Sequence, residues 1–99
     1  MATSNIPFGD TLARAHTIAS NTDLNNITAP GLYRCASSTV AGTLVNCPYS
    51  TSTFVLFNFW ALSVDYGTIQ LIVTGSSMYC RRYANGAWGG WYKYTGTAV

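Results

Sequence analysis

The apolar positions of this chain are unevenly spread, and their spacing predicts strands far more often than helices. Residues 1–9 show no period and read as extended chain. Asp10 can cap a short helix over Thr11 to Ala19, which places Leu12, Ala15, Ile18 and Ala19 on one side. Thr22 or Asp23 can cap a single turn through Leu24-Asn25-Asn26-Ile27, and Pro30-Gly31 then forces a turn. Strands are predicted from there on, over Leu32 to Ala36, Phe54 to Leu62, Thr68 to Thr74, Met78 to Ala84 and Ala87 to Tyr94. Asp65-Tyr66-Gly67 and Gly75-Ser76-Ser77 supply turns between them. The Phe54 to Leu62 run is almost wholly apolar, so cover on both faces is expected, with Trp60 in the core. The fold class this implies is mainly β, a small antiparallel sheet or sandwich with one or two short helical turns near the N-terminus.

Asn85-Gly86 is the strongest local signal. Both residues tolerate positive φ, which a two-residue type I′ hairpin requires at its two central positions. That turn predicts a register in which Ala84 faces Ala87, Tyr83 faces Trp88, Arg81 faces Gly90 and Tyr79 faces Tyr92. Alternation then gathers Tyr79, Arg81, Tyr83, Trp88 and Tyr92 on one face, with Cys80, Arg82 and Trp91 on the other. Trp88 and Trp91 are three apart, so they share a face only if a bulge at Gly89-Gly90 intervenes.

Composition narrows what such a sheet can be for. Charged residues make up 8% of the 99 residues, and five basic against three acidic side chains leave a net charge of +2. That density is too low for a nucleic-acid binder, which must meet phosphates with Lys and Arg. The 48% of hydrophobic residues is too high for a disordered segment. No Glu and a single Lys exclude a helical bundle. The length fits one domain, with an extended or short helical segment over 1–22 and a β domain over 23–99. A domain of this size buries only about 60–70% of its unfolded surface. With so few charges, the apolar area left outside suggests an interface in an assembly. The longest apolar stretch, Phe54 to Val64, is about half of the roughly 20 residues a spanning helix needs, so no membrane insertion is expected. No secretory signal opens the chain, and synthesis in a cytoplasm is expected.

Reactive groups are sparse. The acidic candidates for glycoside hydrolysis are Asp10, Asp23 and Asp65, and each sits where a helix cap or a turn is expected. His16 is the single histidine. Cys35, Cys47 and Cys80 form no CxxC, so neither a zinc site nor any other cofactor is expected. They read as partly buried free thiols, although a Cys35–Cys47 pair is possible by spacing. The expectation is a protein that is not an enzyme. What remains is the aromatic and arginine cluster, either a sugar-stacking platform or cross-strand packing within a core or between subunits.

The chain resembles a known family at three places. Asp23-Leu24-Asn25-Asn26-Ile27-Thr28-Ala29-Pro30-Gly31-Leu32-Tyr33 resembles the "DLN-x-I-x-x-PG-x-Y" opening of the pyocin-knob-like domains of phage tail fibres and R-type pyocin fibres. Asn46-Cys47-Pro48 resembles that family's "N-x-P" before an apolar strand. The stretch from Tyr79 to Lys93 resembles "Y-x-R-x-x-x-x-G-x-W-x-x-W-x-x". The resemblance covers residues 23–93 and implies a mostly β knob on a homotrimeric fibre of a virion or similar appendage, recognising bacterial surface glycans. It implies no catalytic residue. It also implies that the two tryptophans hold the knob together, with specificity in loops such as Ser37 to Leu44, Tyr49 to Thr53 and Leu62 to Thr68. The candidate glycan-binding residues are therefore Tyr49, Tyr66, Tyr79, Arg81, Tyr83, Trp88 and Tyr92. The alternatives are a purely structural or trimerising fibre module and a stand-alone carbohydrate-binding domain.

Overall fold

The computed structural model describes residues 15–63 and 66–99, and the side chains outside 62–66. The Asp10 cap, the Asp65 turn and the Tyr66 side chain lie outside the described residues. Among those described, seven strands form one open sheet: β1 (His16–Thr17), β2 (Gly31–Cys35), β3 (Phe54–Ser63), β4 (Tyr66–Val73), β5 (Ser77–Ala84), β6 (Ala87–Trp88) and β7 (Tyr92–Thr95). They are ordered β1-β2-β3-β4-β5, with β6 and β7 both pairing along β5. The β1–β2 pair is parallel and the others are antiparallel. The mainly β class holds, as a single sheet and not a sandwich.

The helix expected over Thr11 to Ala19 does not form where the chain is described. His16 and Thr17 pair with Tyr33 and Arg34 instead, and the His16 ring packs on Tyr33 at 5.4 Å between centroids. Thr, His and Ile are mediocre helix formers, so the edge of β2 wins these residues. The expected single turn is present as a 3-10 turn over Leu24–Asn26, with Asp23 as its cap accepting from the Asn25 backbone N–H at 2.9 Å. The stretch Ser37 to Leu44, expected as loop, holds a one-turn helix α1 (Ser38–Ala41). The Ser37 hydroxyl caps it by accepting from the Val40 N–H.

The core lies on one face of the sheet. Leu56, Ile72, Cys35, Phe54 and Tyr79 on that face are covered by Ile18, Leu24, Ile27 and Ala41 from the connecting segments. β3 is therefore covered on one face and not on both. Phe54, Leu56 and Asn58 point inward, while Phe59 is 43% exposed. Trp60, expected in the core, is also 43% exposed, and its indole N–H donates to the Thr28 carbonyl at 2.8 Å. Phe59 is exposed because no described segment covers the outer face, whereas Trp60, on the same face as Asn58 by alternation, is left partly open at the edge of the cover.

The far end of β3 is irregular. The ladder to β4 shifts between Trp60 and Ser63, and the β4–β5 ladder shifts between Tyr66 and Thr68. Gly67 sits there with φ of 90°, and a Cβ on it would stand 2.8 Å from that of Ala61.

Candidate functional site

The last hairpin builds the site. Asn85 and Gly86 have φ of 55° and 82°, as the two-residue turn requires. Ala84 pairs with Ala87 and Tyr83 with Trp88, in the predicted register. The Gly89 N–H still donates to the Arg82 carbonyl at 2.8 Å. Gly90 and Trp91 then leave the ladder, and β7 re-enters with Cys80 opposite Tyr92 and Tyr79 opposite Lys93. The register has slipped by one residue, so the predicted pairings of Arg81 with Gly90 and Tyr79 with Tyr92 are not formed. A one-residue slip reverses the face of every later side chain. Tyr92 lands on the outer face with Cys80, 68% exposed. Trp91 comes round to the inner side, beside Arg81.

Arg81 is the centre of the site. It is 5% exposed, and its guanidinium carbon lies 4.0 Å from the centroid of the Trp88 ring and 4.6 Å from that of Trp91. A desolvated arginine on aromatic faces gains about 2 kcal/mol per contact. Its Nε–H donates to Gln70 Oε1 at 2.9 Å. Gln70, fully buried on β4, donates from Nε2 to the carbonyls of Leu24 and Ile27 at 2.8 and 3.1 Å. Burial pulls the Arg81 pKa down to about 10, and the nearby Asp23 and Cys47 act in the opposite direction.

The opposite wall comes from residues 22–26 and 45–46, which are tied together by Leu24 N–H to Val45 O and Val45 N–H to Thr22 O. Asn46, at φ of 56°, donates from Nδ2 to Asp23 Oδ1 at 2.8 Å and accepts from the Trp91 indole N–H at 3.0 Å through its backbone carbonyl. The Asn46 side chain, then the Asn25 backbone N–H, hold the Asp23 carboxyl below its ordinary range, and Arg81 adds to this. Between the two walls lies an open cavity of about 490 Å³, lined by Asn25, Asn46, Arg81, Tyr83, Trp88 and Trp91 among others. Small-molecule sites are of roughly this size.

Of the candidate glycan-binding residues, the structure brings Arg81, Tyr83 and Trp88 together here, with the Tyr83 and Trp88 rings edge to face at 5.3 Å. Tyr79 is buried in the core against Tyr49, their ring centroids 6.0 Å apart, and Tyr49 also packs on Phe54. Tyr49 is thus half-buried packing, not the exposed loop aromatic expected. Tyr92 faces away from the cavity. Among the lining residues absent from the candidates are Trp91, Asn25 and Asn46. Their signal was the resemblance itself, since each stands at a fixed position of one of the three motifs. The fold converges those motifs on a single cavity.

Cys35, Cys47 and Cys80 are free thiols, with Cys35 fully buried, and burial pushes the Cys47 thiol up. Among the described residues there is no group of three or more His, Cys, Asp or Glu that could hold a metal ion, and no helix long and apolar enough to cross a membrane.

No protein-family model matches the sequence, and no curated protein matches it. The fold, however, is similar to part of a solved C-terminal fragment of the R1 pyocin fibre of P. aeruginosa, with a TM-score of 0.74 and 21% identity. The likeness covers 89% of this chain and 24% of that fragment. The chain therefore has the fold of a segment of a pyocin tail fibre, as the sequence resemblance led one to expect.

Proposed function

We propose that the chain is a knob-like module of the tail fibre of a phage or phage-like particle, working within a trimer that attaches to bacterial surface glycans. The observation that carries this reading is the fold likeness to the pyocin fibre across 89% of the chain. Its place of action is the virion or a related appendage, and its role is attachment rather than catalysis.

Two features of the chain support the finer parts of the reading. The outer sheet face carries a continuous cross-strand row of Leu32, Phe57, Leu71, Cys80 and Tyr92, and Met78 lies beside it between Val73 and Tyr94. Tyr92, Met78 and Phe59 on that face are exposed, and packing against further copies would remove them from water. The Arg81 cavity offers aromatic rings, amides and a guanidinium. Rings stack on the apolar faces of sugars, and the polar groups reach hydroxyls.

Two measurements on the same protein test the reading. Light scattering is expected to give a mass near 32 kDa, about three copies of 10.7 kDa. The labelled chain is expected to bind members of a panel of bacterial surface polysaccharides. A trimer that binds none favours a purely structural fibre module. A monomer that binds favours a stand-alone carbohydrate-binding domain. A monomer that binds none refutes both halves of the proposal.

A further inference from the structure

Resting on the glycan reading above, we infer that the Arg81 cavity takes a sugar ring carrying an anionic group, a carboxylate or a phosphate, next to a hydroxyl. Among the described residues, Arg81 is the one charged residue that lines the cavity. Asp23, whose charge acts on Arg81, does not line it, and Asp23 Oδ1 already accepts from Asn25 and Asn46. Among the described residues no carboxylate is hydrogen-bonded to the Arg81 guanidinium.

The unsatisfied atoms of the site are complementary to such a ligand. Arg81 Nη2, on a side chain that is 95% buried, has no hydrogen-bond partner, and neither has Asn25 Oδ1 on the facing wall. One is a charged donor and the other an acceptor, and leaving either unpaired carries its full desolvation penalty. An anionic oxygen accepts from Nη2, and a neighbouring hydroxyl donates to Oδ1. With the Trp88 and Trp91 rings against the guanidinium and its Nε–H given to Gln70, the N–H groups at its Nη end are what remain for a polar partner. That fork matches a carboxylate or phosphate edge better than a single hydroxyl. Both atoms lie just beneath the cavity wall, so an incoming group has to displace a neighbouring side chain.

The test is a titration of the 99-residue chain, labelled with ¹⁵N, in which the three indole N–H signals are followed by NMR. The probes are D-glucuronate, D-glucose 6-phosphate, D-glucose, acetate and inorganic phosphate. Glucuronate or glucose 6-phosphate is expected to shift the Trp88 and Trp91 signals saturably, at least tenfold more tightly than glucose, with Trp60 unmoved. Which of the two responds identifies the carboxylate or the phosphate. Asn25→Asp is close to isosteric and puts a carboxylate in place of the unpaired acceptor, on the wall that faces Arg81, where it repels an anionic group. It should leave the fold intact and abolish the response. Arg81→Lys keeps the charge but loses the planar fork, and should weaken binding at least tenfold. Glucose binding as tightly as the charged sugars overturns the anionic assignment and leaves the glycan reading standing. Acetate or phosphate binding as tightly as the sugars reduces the site to an ion site, which also overturns it. So does a full response from Asn25→Asp, or no response to any probe. In that last case the polysaccharide panel decides the glycan reading separately.

Discussion

Replacing Gln70 by Leu tests whether one buried amide holds the site to the sheet. Leucine is close to glutamine in volume, so the change removes hydrogen bonds while leaving little cavity. The native amide makes three of them, to the carbonyls of Leu24 and Ile27 and from Arg81 Nε. The Leu24 carbonyl keeps a second donor, the Ile27 N–H at 3.2 Å, and its loss is small, roughly 0.5–1 kcal/mol. The Ile27 carbonyl loses its Gln70 partner, at about 1–3 kcal/mol, and the buried charged Nε loses its acceptor, at about 1.5–3 kcal/mol. The sum is roughly 3–7 kcal/mol, a large share of the 5–15 kcal/mol typical of a domain. At about 4–8 °C per kcal/mol for a domain of this size, Tm should fall by at least about 12 °C. Urea unfolding followed by tryptophan fluorescence and by circular dichroism measures the loss. A Gln70→Leu protein within about 1 kcal/mol of the native one, with the same m-value, would refute the reasoning. It would mean that the 3-10 turn and the Arg81 cluster stand without this link.

Further outcomes follow from single residues. Asp23 has a folded-state pKa below its ordinary 3.8, so its stabilising contribution is complete above that value and is lost as pH falls through the lower folded value. The acid-induced loss of stability should therefore be shallower in Asp23→Asn, measured by urea unfolding at a series of acidic pH values. An unchanged slope would remove Asp23 from the acid response. Thiol labelling of the native protein at mildly alkaline pH should reach Cys47 only slowly, because burial pushes its thiol up. Cys35, 2% exposed, should react only on unfolding, and rapid labelling in native buffer would contradict its place in the core. Gly67→Ala should cost about 1–3 kcal/mol, from positive φ and from a Cβ placed 2.8 Å from that of Ala61. A neutral result in thermal melts would show that the bulge relaxes.

Much of the fold was legible because its signals are local. The strands from β2 to β5 stand within a residue or two of where alternation and turn residues place them. Thr22 or Asp23 reads as a cap from sequence, and Asp23 is the one that caps. The candidate site was only half legible. Alternation from the Asn85-Gly86 turn brought Arg81, Tyr83 and Trp88 to one face correctly, then failed for Tyr92 and Trp91. A bulge at two glycines is permitted by sequence, but whether the chain takes it depends on what the extra residue gains. Here the gain is Trp91 against Arg81, with its indole bonded to Asn46, far away in the chain. Gln70 carried a clue of another kind. It alternates with Ile72 on the covered face of β4, where a buried amide must find partners. No pattern names carbonyls more than forty residues away as those partners.

The sequence by itself determined the strand-rich character, the type I′ hairpin and a cap at Thr22 or Asp23, since each depends on residues adjacent or a few positions apart. Its low charge and aromatic content also determined that apolar surface would be left outside the core. Tertiary structure alone decided which surface that is. Among the described residues, the outer face of β3, apolar through Phe57 and Phe59, has no cover because the described connecting segments pack on the other side. Tertiary structure also decided that Asn25, Asn46, Arg81, Trp88 and Trp91 meet around one cavity. Their convergence rests on buried hydrogen bonds and ring contacts between segments distant in sequence, and those interactions exist only once the chain has closed on itself.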